Sequence, residues 1–283
     1  MPTGLFVGLA TLDVVQFVDA VPAANQKTTA RESWLAAGGP AAVAAIAFAS
    51  LGGHARLLTV LGTGAAADVV RADLATAGVE VVDAAPSGFG IAPSVALVGT
   101  DGNRAVVSGS GHQPDAVQCP ELDLGDVDVV LLDGHHPELA RAAGRAAAGL
   151  PVVVDAGSHK SVFDELWPQL TDVICSADYV HPSGERPAAL LARGPHLVAV
   201  SHGSDPVMWW TPHAFGEVPA PSVPVVDTLG AGDVLHGAYC YALTTGRSRR
   251  ESLEFAVAAA SRRVGQAGPF AWREALRHGF DQP

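Results

Sequence analysis

Residues 227–233, Asp-Thr-Leu-Gly-Ala-Gly-Asp, combine glycines and carboxylates in a spacing that could support chemistry on an anion. Valines precede this stretch and an apolar run begins at Val234, which predicts a strand, a tight turn and a helix. N–H groups at a helix start lack intrahelical partners and lie at the positive end of the helix dipole. Gly230 and Gly232 would let this backbone approach an anion, with Asp233 beside it. The arrangement suits phosphoryl transfer to a hydroxyl, in which amides stabilise the charge and the carboxylate takes the proton; the alternative is a turn that only connects strand and helix.

The composition favours one large α/β domain spanning residues 1–283 and disfavours several classes of partner. The chain is 48% hydrophobic and 16% charged, with a net charge of −12, so nucleic acid and anionic membranes are not expected as partners. No signal peptide and no membrane-spanning run is visible. The three cysteines are widely spaced, which indicates reduced thiols and a cytoplasmic protein.

Apolar strands alternate with helices over most of the chain and predict a mostly parallel, doubly wound sheet with helices on both faces. Residues 5–9 predict the first strand, and glycines before Pro40 predict a helix over 40–51. Further strands are predicted at 55–61, 79–82, 127–132, 152–155, 173–175 and 197–201, with helices near 65–77, 137–148, 162–170 and 183–193. A closing antiparallel meander and helices from about 231, 249 and 271 complete the pattern.

Two short β segments interrupt this alternation, at about 14–36 and 89–111, and they predict a separate small sheet in which the second segment pairs with the first. A Gly/Asn-rich stretch at 99–103 predicts a hairpin turn in the second segment. In doubly wound sheets, ligands bind beyond the carboxyl ends of the strands. The residues predicted at that edge are Asp13, Gly38, Gly39, Gly134, His135, Ser201, His202, Gly203 and 230–233.

The Asp-Thr-Leu-Gly-Ala-Gly-Asp stretch resembles the carboxyl-terminal signature of the ribokinase-like (PfkB) family of carbohydrate kinases, and the whole chain fits the family's α/β plan with a small β-sheet lid. The resemblance implies that Asp233 is the catalytic base and that the amides of Gly230, Ala231 and Gly232 stabilise the transferring phosphoryl group. The other interpretation of Asp233 is a helix-start carboxylate that only favours the dipole. Asp227 and Thr228 are expected to contact the nucleotide phosphates.

The same resemblance places the acceptor site near the first and second β segments. Asp13 matches the family's sugar-binding aspartate at the end of the first strand, although a strand-end cap is the plainer interpretation. Gly38 and Gly39 match the family's Gly-Gly motif, where a substrate approaches the backbone. The sequence departs from this motif at Val43, which stands where relatives carry an asparagine.

Other residues predicted around the acceptor are Asn103 and Arg104 of the second segment and His135 before a helix. The pair His135-His136 could also bind a metal, but no third ligand has suitable spacing. Arg104 together with Lys160 would suit an anionic sugar. A weak similarity of residues 233–239 to sulfofructose-kinase-like sequences indicates the same class of acceptor.

The nucleotide site is expected at Ser201 and Gly203, in a loop whose last family glycine is replaced by Pro206. ATP and Mg²⁺ are the implied cofactors, and a monovalent cation occurs near this turn in many relatives. The family's Asn-x-x-Glu motif is missing near residues 176–179, as in the ketohexokinase branch, with Asp178 a partial substitute.

The sequence therefore predicts an ATP-dependent kinase that phosphorylates a primary hydroxyl of a ketose or modified sugar. The alternatives are a nucleoside kinase on the same fold and a non-catalytic sugar- or nucleotide-binding protein. A homodimer through the lid is expected, because a hairpin edge carrying Val15, Phe17 and Val18 would favour pairing between subunits.

Overall fold

The computed structural model describes residues 1–100, 104–109 and 112–279, and its largest element is a nine-stranded sheet. In spatial order the strands are β13 (Phe215–Val218), β12 (Asp205–Trp210), β11 (Leu197–His202), β10 (Asp172–Ser176), β9 (Val152–Ala156), β8 (Val129–Leu132), β1 (Thr3–Val7), β4 (His54–Thr59) and β5 (Val79–Asp83). Strands β11 to β5 in this order pair in parallel. The β11–β12 and β12–β13 pairs are antiparallel and form the predicted meander. The mostly parallel sheet is confirmed.

Helices cover both faces of this sheet, which is why β8 (VVLL) and the first three residues of β9 (VVV) form continuous apolar runs. The helices are α1 (Pro40–Ser50), α2 (Ala65–Thr76), α3 (Pro137–Ala146), α4 (Val162–Leu166), α5 (Ala231–Thr244), α6 (Arg249–Val264) and α7 (Ala271–Gly279). Phe6 packs in a core shared with α1, α2, α5, α6 and α7, whereas its neighbours Leu5 and Val7 belong to a second core with α3 and α4. This doubly wound arrangement was predicted from the alternating pattern.

A separate four-stranded sheet has the order β3 (Glu32–Gly38), β2 (Thr11–Val18), β6 (Pro93–Gly99) and β7 (Arg104–Val107). The second β segment pairs with the first through the parallel contact of β2 with β6, as predicted. The predicted hairpin is present as antiparallel β6 and β7, but its turn residues 101–103 lie outside the described residues.

Two expectations about β2 are wrong. Asp13 does not end the first strand but lies within β2, opposite Ala36 of β3. Val15 and Val18 are buried, and β2 is an inner strand between β3 and β6, so these side chains do not form an exposed edge. The described edge strands of this sheet are β3 and β7.

The predicted helix at 183–193 is also wrong, since only a 3-10 helix forms, at Pro187–Arg193. Arg186 is extended, as expected for a residue that precedes proline. Similarly, the helix predicted over 162–170 ends as an α-helix at Leu166 and continues as a 3-10 turn over Trp167–Gln169, where Pro168 has no N–H to donate.

Helices α1 and α5 lie in backbone contact on one face of the sheet. A Cβ at Gly237 of α5 would overlap the carbonyl oxygen of Ala44 in α1, so glycine is required for this approach. Both helices begin at the carboxyl edge of the strands, which brings the Gly38-Gly39 segment and the 230–233 turn together. Among the described residues, no helix is long and apolar enough to cross a bilayer.

Candidate active site

The turn that begins α5 has the geometry of an anion cradle. Gly230 has a left-handed backbone (φ 73°), a conformation that a side chain would strain. A Cβ at this position would also come within 3.4 Å of Val43 on α1, so the turn is closely packed. The Ala231 N–H donates to the Thr228 carbonyl. The Gly232 and Asp233 N–H groups lie in the first turn of α5, where the helix itself supplies no carbonyl to accept their hydrogen bonds.

Asp227 holds this turn from inside the protein. Its Oδ2 lies 2.7 Å from Arg263 Nη2, both side chains are 3% exposed, and its Oδ1 accepts the Leu229 N–H at 2.9 Å. Arg263 Nη1 also donates to the Gln266 carbonyl at 3.0 Å. Both carboxylate oxygens therefore have protein donors, which differs from the phosphate contact expected for Asp227.

Asp233 is the carboxylate whose environment is most altered. Burial, together with the negative charge of Asp155, raises its pKa to about 7, and His236 opposes part of this shift. The charges of Asp13 and Asp133 make smaller contributions to the same rise in pKa. A carboxylate with a pKa near neutrality is well suited to accept and release a proton.

His236 connects the α5 turn to the neighbouring strands. Its Nδ1 lies 2.7 Å from the Gly232 carbonyl and 3.4 Å from Asp155 Oδ2, and its Nε2 lies 3.2 Å from the Ile174 carbonyl. The ring is buried, so these oxygens fix its orientation. His236 thereby positions the first turn of α5 against the ends of β9 and β10.

Asp13 and Gly38 form the opposite side of the site. The Thr11 hydroxyl donates to Asp13 Oδ1 at 2.7 Å, and a Cβ at Gly38 would overlap the Asp13 carboxylate. Burial raises the pKa of Asp13, and the Thr11 hydrogen bond opposes that rise. Gly39 caps the start of α1 with φ 94°, and a side chain there would collide with the Leu9 carbonyl. The Asp13 carboxylate leaves no room for a side chain at residue 38, and the Leu9 carbonyl leaves none at residue 39. These two contacts explain the Gly-Gly pair.

Asp133, at the end of β8, ties the acceptor side together. Its Oδ2 accepts the Leu9 N–H at 2.8 Å and the Ala41 N–H at 3.2 Å, and its Oδ1 accepts the His135 N–H at 2.9 Å. Burial opposes ionisation, but the hydrogen bonds and charge of His135 and the Leu9 N–H outweigh it, so the pKa of Asp133 is below its ordinary value. One carboxylate thus joins the β1–β2 loop, α1 and the β8–α3 loop.

The other residues predicted for the acceptor site differ in how far the structure describes them. His135 contacts Asp133 through Nδ1 at 3.3 Å and is partly exposed at this edge. Lys160 packs beside Gly134 and its Nζ donates to Ser158 Oγ. The Arg104 backbone pairs with Val98, while Asn103 lies outside the described residues.

A cavity of about 700 Å³ opens on the other side of the α5 turn. Ser201, Gly203 and Thr228, all predicted for nucleotide binding, line it together with Ala231 and Gly232. Apolar side chains of β12, α5 and α6 form much of the remaining wall, including Val207, Leu235, Val257 and Val264. The volume falls in the usual range for small-ligand sites, and the wall suits a flat, mostly apolar ring.

Sequence reasoning missed Asp155 and His236 and gave Asp133 no role of its own. The sequence does contain a pattern that could have indicated the two aspartates. Each lies at the end of a buried strand, and glycine follows directly after Asp133 and one residue later after Asp155. Aspartates at consecutive strand ends meet at one sheet edge. His236 carried no comparable signal because its partners come from β9 and β10.

Comparisons with known proteins identify the family of this chain. A family model described as "pfkB family carbohydrate kinase" matches residues 3–272. The chain is 30% identical to the ATP-dependent ribose-1-phosphate kinase of Halopiger xanaduensis, over 93% of this chain and 92% of that protein. It is 25% identical to the ketohexokinase of Mus musculus, over 93% and 96%. A ribokinase structure from Thermotoga maritima superposes with a TM-score of 0.77 at 20% identity, over 98% of each chain. The chain belongs to the pfkB family of carbohydrate kinases, phosphotransferases that act on a sugar hydroxyl.

Proposed function

We propose that this protein transfers the γ-phosphoryl group of ATP to a primary hydroxyl of a ketose or a modified sugar. The observation that carries the proposal is the position of the α5 turn between two half-sites. On one side lies the cavity lined by Ser201, Gly203 and Thr228, and on the other lie Asp13 and Asp133, whose charges reach Asp233. A base between a nucleotide and a sugar is the arrangement that in-line transfer requires.

The proposed step moves one proton and one phosphoryl group. Asp233 takes the proton of the acceptor hydroxyl as that oxygen bonds to the γ-phosphorus, and the bond from phosphorus to the bridging oxygen breaks to release ADP. The Gly232 and Asp233 amides stabilise the charge that develops on the phosphoryl oxygens. Asp13 accepts hydrogen bonds from substrate hydroxyls and thereby orients the sugar.

The carboxylates around the turn fit a magnesium ion. Asp155 is close enough to Asp233 for its charge to raise the pKa of that residue, and Mg²⁺ prefers carboxylate oxygens together with phosphates and water. Asp155 would therefore help to hold the ion, while Asp233 stays free to take the proton. Bound Mg²⁺ would neutralise part of the triphosphate charge. Asp178, expected as a partial substitute for the missing motif, is exposed.

We further propose that residues 1–283 act as one domain in which the four-stranded sheet is a lid over the sugar. Asp13 and Gly38 belong to that sheet, so its position and the sugar site are linked. A closed lid would exclude water, which would otherwise compete as acceptor. The three cysteines are free, which supports the proposed cytoplasmic location.

The function is tested by measuring ADP release from Mg-ATP with a panel of acceptors. The panel contains ketoses, aldoses, ribose 1-phosphate, phosphorylated and sulfonated ketoses, and nucleosides. We expect turnover with at least one sugar and none with nucleosides. Calorimetric binding of ATP without turnover on any sugar would contradict the proposal, and turnover restricted to nucleosides would favour the nucleoside kinase alternative.

Asp13→Asn tests whether Asp13 binds the acceptor sugar. It should raise KM for the accepted sugar about 10- to 100-fold, because a hydrogen bond to a charged group contributes about 1.5–3 kcal/mol. ATP affinity should be unchanged. Asp19→Asn, one residue beyond the end of β2 and exposed, is the matched control and should behave as the wild type. An unchanged KM in Asp13→Asn would remove Asp13 from the acceptor site.

We propose a homodimer through the same sheet, on different side chains from those first expected. Leu35 of β3 is 52% exposed, and Val106 and Val107 of β7 are 53% and 73% exposed. Edge strands with exposed apolar residues favour pairing with another chain. Sedimentation should show a dimer that Val107→Lys dissociates, and a monomer at all concentrations would contradict the proposal.

A further inference from the structure

A cluster of two histidines and an aspartate lies outside the site described above. We call it the 159–164–181 cluster: His159 is in the β9–α4 loop, Asp164 is in α4, and His181 is in the loop after β10. His159 Nε2 lies 3.3 Å from Asp164 Oδ2, and His181 Nε2 lies 3.5 Å from Asp164 Oδ1. One atom from each residue falls within 4.8 Å of the other two. The three side chains therefore converge on one point.

The spacing fits metal ligands better than a hydrogen-bonded network. Donors about 2.0–2.1 Å from a tetrahedral zinc ion lie about 3.3–3.4 Å from one another. Each histidine Nε2 lies at a similar distance from one of the two Asp164 oxygens. The His181 side chain is only 6% exposed, and its Nε2 has no hydrogen-bond partner among the described residues. A buried ring nitrogen without a partner is unfavourable unless something binds it.

Groups behind the ligands contact both His181 and Asp164. His181 Nδ1 lies 2.7 Å from Ser183 Oγ and 3.9 Å from Glu185 Oε2. Donation from Nδ1–H to Ser183 Oγ would leave Nε2 with a lone pair for a metal. The Ser183 N–H, 3.2 Å from Nδ1, favours the other tautomer, so metal binding would shift the ring proton. Trp167 Nε1 donates to Asp164 Oδ1 at 3.3 Å and orients the carboxylate.

We propose that His159, Asp164 and His181 bind one Zn²⁺ ion, with water completing its coordination. Imidazole and carboxylate ligands suit zinc, and three protein ligands leave an open position. The ion would join the loops that follow β9 and β10, which otherwise meet through the Ser176 hydroxyl and the Gly157 carbonyl at 2.8 Å. Because the ion binds the folded chain, it would stabilise the fold.

The test is a metal titration of the full chain after chelator treatment, without nucleotide. Calorimetry should show one Zn²⁺ bound per chain, and Co²⁺ should give the visible absorption of a low-coordinate site. Mg²⁺ should produce no such binding, and Zn²⁺ should raise the melting temperature. Failure of the folded protein to bind Zn²⁺ stoichiometrically would overturn the proposal.

Substitutions locate the ion. His181→Ala and Asp164→Asn should each weaken Zn²⁺ binding by more than about 10-fold, and Ser183→Ala by about 10-fold, since groups behind the ligands contribute about 10- to 100-fold. His54→Ala, which removes a partly exposed histidine next to Glu80, should bind as the wild type. If His181→Ala does not fold, the near-isosteric Asp164→Asn decides the question. Unweakened binding by Asp164→Asn would refute the site.

Discussion

Asp233→Asn is expected to lower kcat by about 10²- to 10⁴-fold, the usual contribution of a positioned general base. Asparagine keeps the size of the side chain but cannot accept the hydroxyl proton. ATP affinity should change little, because the cavity lined by Ser201 and Thr228 is untouched. Steady-state kinetics with the accepted sugar and calorimetry with ATP measure the two effects separately.

The wild-type pH profile gives a second measure of the same residue. Burial and the neighbouring Asp155 raise the pKa of Asp233 to about 7, so its basic form is depleted below neutral pH. We expect kcat/KM, which reports ionisation of the free enzyme, to rise with pH through about 7 and then level off. The rising limb should vanish in Asp233→Asn.

The raised pKa has an opposite consequence for stability. The native carboxyl holds its proton more tightly than the unfolded one, whose pKa is 3.8. Its contribution to stability is thus complete below about pH 4 and is lost as pH rises towards 7. Asp233→Asn should therefore melt at a higher temperature than the wild type at pH 8, with no such gain near pH 3.5.

Asp68→Asn is the matched control, because Asp68 is an exposed carboxylate in the first turn of α2. Its kinetics and pH profile should equal those of the wild type. A kcat for Asp233→Asn within a few-fold of the wild-type value would exclude Asp233 as the base.

Arg263→Met should lower the free energy of unfolding by about 3–5 kcal/mol, since it leaves the buried Asp227 charge unpaired. The ion pair is 2.7 Å long with both side chains 3% exposed. Because Asp227 also holds the Leu229 N–H, the turn before Gly230 should loosen and kcat should fall as well. Denaturant unfolding and steady-state kinetics measure both effects.

Asp227→Asn combined with Arg263→Met completes a double-mutant cycle. The double variant should be more stable than the sum of the two losses predicts, because neither charge remains unpaired. Arg250→Met is the control on the same helix, where an exposed pair with Glu254 should contribute less than about 1 kcal/mol. A loss in Arg263→Met no larger than in Arg250→Met would show that the buried pair does not hold the turn.

Much of the fold was predictable from hydrophobic pattern and glycine position. Continuous apolar strands such as β8 and β9 predict a parallel sheet covered on both faces, and the glycines before α1 and α5 mark helix starts. The errors have local causes. The proline at 187 prevents an α-helix over 183–193. Pairing between β2 and β3 continues to Thr11 and Gly38, beyond the predicted segment 14–36.

The site was predictable where one segment carries it and not where several segments meet. The 230–233 turn and the Gly38-Gly39 pair are contiguous motifs. In contrast, the partner of Asp227 is 36 residues away in sequence and the partners of Asp133 span three elements. The 159–164–181 cluster joins two loops, so no single stretch reveals it.

The backbone contact of α1 with α5 at Gly237 constrains how this enzyme could diverge. The two helices carry the acceptor glycines and the phosphoryl-transfer turn, and neither can slide without a collision at the Ala44 carbonyl. Selection for a new acceptor would therefore leave that pair of helices fixed. It would act on the proposed acceptor site, through side chains of β2, β3 and the β8–α3 loop. The relative position of α1 and α5 would thus stay fixed, while substrate preference could change through the residues around them.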